Sequence, residues 1–177
     1  MNTKFLAVGT IVGGLVIFLW GAVTHAVLPQ PLTAFKDEPA LVEAVRAHTN
    51  GNGVYFATRG MLAAVSFRPD LADKTQSIAP NLAIQFGTDT LAAFLLCLVI
   101  AGLRANSVLG RSGWMALAGI GAFALKELPY WNWYGFSPSF ISMEALDLIG
   151  KFFISGLVLG ALFNKLNRTV HVKVARA

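Results

Sequence analysis

Four long apolar runs constrain this chain more than anything else in it. Residues 5–28 carry no charged side chain apart from His25, and 82–103 carry only Asp89. Residues 113–128 end in Lys126 and Glu127, and 140–163 hold Glu144, Asp147 and Lys151. Three of the runs reach the ~20 residues that a bilayer core demands of a helix. The third is short and needs tilt or local thinning of the lipid. Of the 177 residues, 55% are hydrophobic and 13% charged. A soluble domain carries about 25% charged residues, so this composition disfavours one. It excludes intrinsic disorder as well, because apolar residues are plentiful. The expected fold is an all-α membrane protein, an antiparallel four-helix transmembrane bundle with a small extracytoplasmic α+β cap between helices 1 and 2.

The expected segments are helix 1 over 1–28, the cap over 29–81, helix 2 over 82–103, a cytoplasmic loop over 104–112 and helix 3 over 113–128. An aromatic outer loop over 129–139, helix 4 over 140–163 and a basic tail over 164–177 follow. The first run exceeds a signal-peptide core, and Thr24-His25-Ala26 is a poor cleavage site, so it reads as an uncleaved helix. Orientation follows from the cations. Lys4, Arg104, Arg111, Lys165, Arg168, Lys173 and Arg176 lie in the N-terminus, second loop and tail, which contain no Asp or Glu. The first loop instead balances five Lys/Arg against five Asp/Glu. Cytoplasmic loops collect Lys and Arg, which places both termini in the cytoplasm, with a bacterial inner membrane as the expected location.

Within the first loop, Asp37-Glu38-Pro39 reads as a helix start, with Leu41, Val42, Val45 and His48 on one face. Asn50-Gly51-Asn52-Gly53 is a turn, 54–58 a strand, Arg59-Gly60 a second turn and 61–67 a returning strand closed by Arg68-Pro69-Asp70. Between the last two spans, residues 130–136 hold five aromatics in seven positions. Such rings suit a membrane interface. Alternatively Trp20, Trp131, Trp133 and Tyr134 wall a pocket for a lipid or quinone.

Ionisable groups inside spans are costly unless they face the bundle and find partners. Glu144, Asp147 and Lys151 share one helical face, at about 6, 10 and 16 Å from residue 140. Asp147 precedes Lys151 by four residues, the favourable order for a helical ion pair. Gln85 and Asp89 form a second stripe at matching depth. Glu127 and His25 close their helices at the same side. The expectation is one outward-opening polar cluster of His25, Gln85, Asp89, Glu127, Asp147 and Lys151, with Glu144 at its mouth. It serves as an ion network fixing register, as a proton or cation site, or as a metal site from His25 with Asp89, Glu127 or Asp147. One histidine among carboxylates falls short of the nitrogen and sulfur ligands that zinc and copper favour. The cofactor is not specified by the sequence.

Glu127 and Asp147, at the outer ends of the third and fourth spans behind an extracytoplasmic segment, resemble the layout of lipoprotein signal peptidase. That resemblance implies a pair of acids sharing a proton, one activating water and the other donating. The motifs differ: this chain reads Glu144-Ala145-Leu146-Asp147 where the family has Asn-x-Ala-Asp, and Glu127 stands for an aspartate. Four-helix disulfide oxidoreductases and claudin-like proteins need cysteine pairs, and Cys97 is the sole cysteine.

Gly9-x-x-x-Gly13 and Gly156-x-x-x-Gly160 allow close helix approach, inside the bundle or across a homo-oligomer or a membrane-protein partner. Membrane lipid is an expected partner and nucleic acid is not. The leading functional expectation is an accessory or ligand- or partner-binding membrane protein. The alternative is a membrane enzyme or carrier acting on a lipid, quinone, proton or cation through the cluster, an aspartyl-type peptidase being the remotest form.

Overall fold

A computed structural model describes residues 2–32, 34–68, 77–105 and 107–174, with side chains described through residue 167. The protein is mostly helical, with a two-stranded sheet. Four of its helices are long and apolar enough to cross a membrane, covering Thr3–Val27, Ala79–Gly102, Val108–Tyr134 and Pro138–Asn167. The chain divides into two units, one of residues 1–31 with 81–177 and the other of residues 32–80.

In the first unit, α1 (Thr3–Ala22) continues into a π-helical turn, Val23–Val27. It is followed in this unit by α3 (Ala79–Gly102), α4 (Val108–Tyr134) and α5 (Pro138–Val174). Packed neighbours run antiparallel. Asn2 Nδ2 donates to Asn167 Oδ1 at 3.0 Å at one end of the α1–α5 pair, and Trp20 Nε1 to the Asp147 carbonyl at 2.9 Å at the other. Along α1 and α3, Gly9 faces Cys97, Gly13 faces Ala93 and Phe18 meets Phe86 edge-on. The best-buried core, Phe5, Cys97, Ile100, Met115 and Leu159, lies toward the Asn2 end. Outward-facing positions are apolar too: Ile11 is 59% exposed and Leu125 84%.

Both glycine stripes are consumed inside the chain. A Cβ on Gly13 would lie 2.9 Å from the Ala93 Cβ, and one on Gly156 2.7 Å from the Ser112 Cα. Gly9 and Gly160 likewise face Cys97 and the Arg111 stem, so these surfaces are covered without a second copy.

The third span differs most from the sequence expectation. It begins at Val108 because Ser107 caps it, Oγ accepting from Gly110 N at 2.9 Å. It runs through Pro129 to Tyr134 and stops at Gly135, whose φ of +69° is the left-handed conformation that glycine adopts at no steric cost. Pro129 can donate no hydrogen bond to Leu125, yet the helix continues, as spans tolerate when neighbours hold them. The expected outer loop over 129–139 is therefore mostly helix, with 135–137 as its connection. Arg111, expected in a loop over 104–112, lies inside α4. It is 5% exposed, its Nη1 donates to Asn164 Oδ1, and its guanidinium covers the Phe163 ring at 4.5 Å.

In the second unit, Asp37 caps α2 (Glu38–His48), accepting from Ala40 N at 3.1 Å. Strands β1 (Gly53–Ala57) and β2 (Met61–Val65) pair antiparallel, Tyr55 opposite Ala63, around a turn closed by Gly60 at φ +87°. Arg46 of α2 lies over the Phe67 ring at 4.6 Å, joining helix to hairpin. Of the expected strand terminator, Pro69 and Asp70 lie outside the described residues, as do the Arg168 and Lys173 side chains and Arg176 of the basic tail.

The glycine contacts make a paired prediction for thermal melts in detergent. Gly156→Ala forces a methyl group against the α4 backbone and should cost about 1–3 kcal/mol, as overpacking does. Gly121→Ala, with nothing within 4 Å of its new Cβ, should leave the melting temperature unchanged or slightly raised.

Candidate functional site

The site grows from the end of α1. The π turn is closed by Leu28 N–H donating to the Val23 carbonyl at 3.0 Å, one residue wider than an α turn. Such turns interrupt helices frequently at functional sites. Pro29 follows and has no N–H, so the Thr24 carbonyl cannot find its donor there. The Gln30 side chain supplies one, Nε2 donating at 2.6 Å. The widened turn buries Thr24 completely and leaves the His25 side chain 55% exposed.

Thr24 Oγ1 donates to Asp147 Oδ1 on α5 at 2.6 Å. The other oxygen, Oδ2, receives Lys151 Nζ at 2.9 Å and faces His25 Nε2 at 3.7 Å. Asp147 is 6% exposed, so its carboxylate is out of water and held on both oxygens. Its backbone is held as well, by the indole N–H of Trp20, whose ring occupies the notch left by the missing side chain of Gly150. Trp20 therefore positions α5 against α1 and does not line the cleft described next.

Asp89, 8% exposed on α3, accepts from Gln85 Nε2 at 3.0 Å, one turn earlier on the same helix. These two line a cleft of about 450 Å³ together with His25 and Lys151. Ile17 and Phe18 of α1 and Leu82 of α3 give it apolar walls. Glu127, 4% exposed, pairs with Lys126 at 2.9 Å. Glu144 is half-buried and within electrostatic range of Glu127, Asp147, His25 and Lys126.

The single cluster expected from the sequence thus resolves into three contacts: Thr24–His25–Asp147–Lys151, Gln85–Asp89 and Lys126–Glu127. The first two share the cleft, and Glu127 is not among its lining residues. No hydrogen bond joins Glu127 to Asp147 among the described residues, and each has other partners, so the two acids do not share a proton here. Nor do His25, Asp89, Glu127 and Asp147 converge as metal ligands: among the described residues no three His, Cys, Asp or Glu side chains are grouped to hold an ion. Trp131, Trp133 and Tyr134, on the last turn of α4, are at least half exposed and do not line the cleft. The rings of that region contact one another: Tyr134 lies 5.6 Å from Tyr130, which stacks on Phe136 at 5.3 Å, and Phe136 meets Phe140 edge-on at 5.3 Å.

The sequence places Thr24 beside His25 at the end of the first span and Trp20 in a pocket wall, but it does not mark Gln30 or the Trp20–Asp147 bond. One signal was available: Thr24 follows Trp20 by four residues on a span and precedes a proline by five, where carbonyls lose their donors. No family model, no curated protein and no solved structure matches the chain.

The geometry predicts strong coupling in a double-mutant cycle. Asp147→Asn strands Lys151 and should cost about 3 kcal/mol, the lower end for breaking a buried pair, since Lys151 keeps 24% of its exposure. Asp147→Asn combined with Lys151→Met should recover most of that loss in the same detergent melt. Additive losses would mean that the two groups do not depend on each other.

Proposed function

We propose that the protein is a four-span integral membrane protein that binds a small amphiphilic molecule in the cleft between α1, α3 and α5. In this reading both termini are cytoplasmic, as the placement of Lys4, Arg104 and Lys165 supports. The Thr24–Asp147 end then lies toward the outer leaflet, and the connection between the first two spans is extracytoplasmic. The observation that carries the reading is the composition of the cleft wall. Ligand sites are concave, of about 300–1,000 Å³, mostly apolar, with a few convergent polar groups. This cleft has that size, apolar walls from two helices, and His25, Gln85, Asp89 and Lys151 at its rim. Two of the helices around it, α1 and α5, are fixed to one another by the Trp20–Asp147 and Thr24–Asp147 bonds, and Gly13 packs α1 against Ala93 of α3. Binding in such a site needs little reorganisation.

Gly21 offers a clean test. It lines the cleft, and a Cβ there meets nothing within 4 Å. Gly21→Phe should fill the space without displacing a helix. Protein purified in mild detergent is extracted with organic solvent, and the extract is read by mass spectrometry. An amphiphile present with wild type and lost with Gly21→Phe, at equal melting temperature, supports the reading. Identical extracts from the two proteins contradict it.

A further inference from the structure

The charges around the cleft do not pair off completely, and the carboxylate left over is that of Asp89. From α5, Asp147 and Lys151 neutralise each other at 2.9 Å. From the π turn, His25 faces the Asp147 carboxylate at 3.7 Å, so any charge it carries is directed there. From α3, Asp89 has only the neutral amide of Gln85 as partner among the described residues. No lysine, arginine or histidine lies within ion-pair distance of Asp89 among the described residues. Its Oδ1 accepts the Gln85 bond, and its Oδ2 accepts none from the described residues while Asp89 lines the cleft. A carboxylate 8% exposed inside an apolar span is unfavourable without a counter-charge.

Resting on the proposed binding cleft, we infer that Asp89 is the anchor for a cationic head group, so that the ligand is an amphiphile carrying an ammonium or similar cation. The head group takes the open Oδ2 of Asp89, and its apolar body lies along Ile17, Phe18 and Leu82. Gln85 holds the carboxylate by its other oxygen and keeps Oδ2 turned to the cleft. Lys151 stays with Asp147 and does not compete. It also makes the rim unfavourable for a second cation, so the site takes one positive charge. An anionic amphiphile would meet an unscreened carboxylate in a medium of low dielectric and be rejected.

Three short probes of equal chain length separate the possibilities: octyltrimethylammonium, octanol and octyl sulfate. Each is titrated onto the protein in nanodiscs and binding is followed by saturation-transfer NMR. Wild type should prefer the ammonium over the alcohol and bind the sulfate least. Asp89→Asn should weaken the ammonium about tenfold, the size expected for losing a contact to a charged partner, and leave octanol unchanged. Equal binding of ammonium and alcohol by wild type, or tighter binding of the sulfate, overturns the assignment of the cation while leaving the cleft itself intact. Failure of Gly21→Phe to reduce binding of any probe instead overturns the cleft as the binding site.

Discussion

A carboxylate removed from water between two helices organises this protein. Asp147 on α5 receives the Thr24 hydroxyl, the Lys151 ammonium and the field of His25, and its own carbonyl receives the Trp20 indole. One residue of α1 and two of the π turn therefore converge on a single residue of α5. Each of these groups alone would be costly in an apolar span. Together they satisfy one another, and they do so in only one register of α1 against α5. The Gly150 notch that receives the Trp20 ring sets the same register by shape. Sterics and electrostatics agree there, as expected where a sequence specifies one arrangement.

The opposite end is built differently. Asn2 and Asn167 hold α1 to α5 by a pair of amides, and Arg111 is buried against Phe163 and Asn164. Between the two ends, close approach is left to small residues: Gly9 and Gly13 against α3, Gly119 and Gly156 across α4 and α5. Helices in lipid gain little from burying apolar surface against each other, so close backbone packing and polar contacts at the ends carry the association. The close contacts of α1 with α3 and α5 lie beside the cleft at Asp89.

How much of this the sequence disclosed can be traced residue by residue. The four spans follow from apolar length alone, and the helix and hairpin of 32–80 follow from Asp37-Glu38-Pro39, the Asn-Gly turn and the Gly60 turn. The Asp147–Lys151 pair follows from four-residue spacing. Apolar length alone makes the third span too short at both ends, because Arg111 looks like a loop charge and Pro129 like a helix stop. Neither reading anticipates a neighbour: Phe163 and Asn164 receive the arginine, and the helix bundle sustains the proline. The separation of Glu127 from the cleft was invisible for a related reason. Depth along a helix can be counted from the sequence, but the angle at which each helix faces its neighbours cannot. The π turn adds a residue that shifts this angle for Thr24 and His25, and no periodicity announces it.

The central claim is that Asp147 is an ionised carboxylate, paired with Lys151 on its own helix and bonded to Thr24 of the neighbouring π turn. Infrared difference spectroscopy of protein in lipid at neutral pH, with aspartate carboxyl carbons isotope-labelled and Asp147→Asn as the reference, reads its state directly. The account predicts that the band lost in the variant is the carboxylate stretch, with no protonated carbonyl band lost alongside it. Loss of a protonated carboxyl band instead would contradict the account, because a neutral Asp147 would leave Lys151 without its counter-charge and the helix contact without its organising interaction.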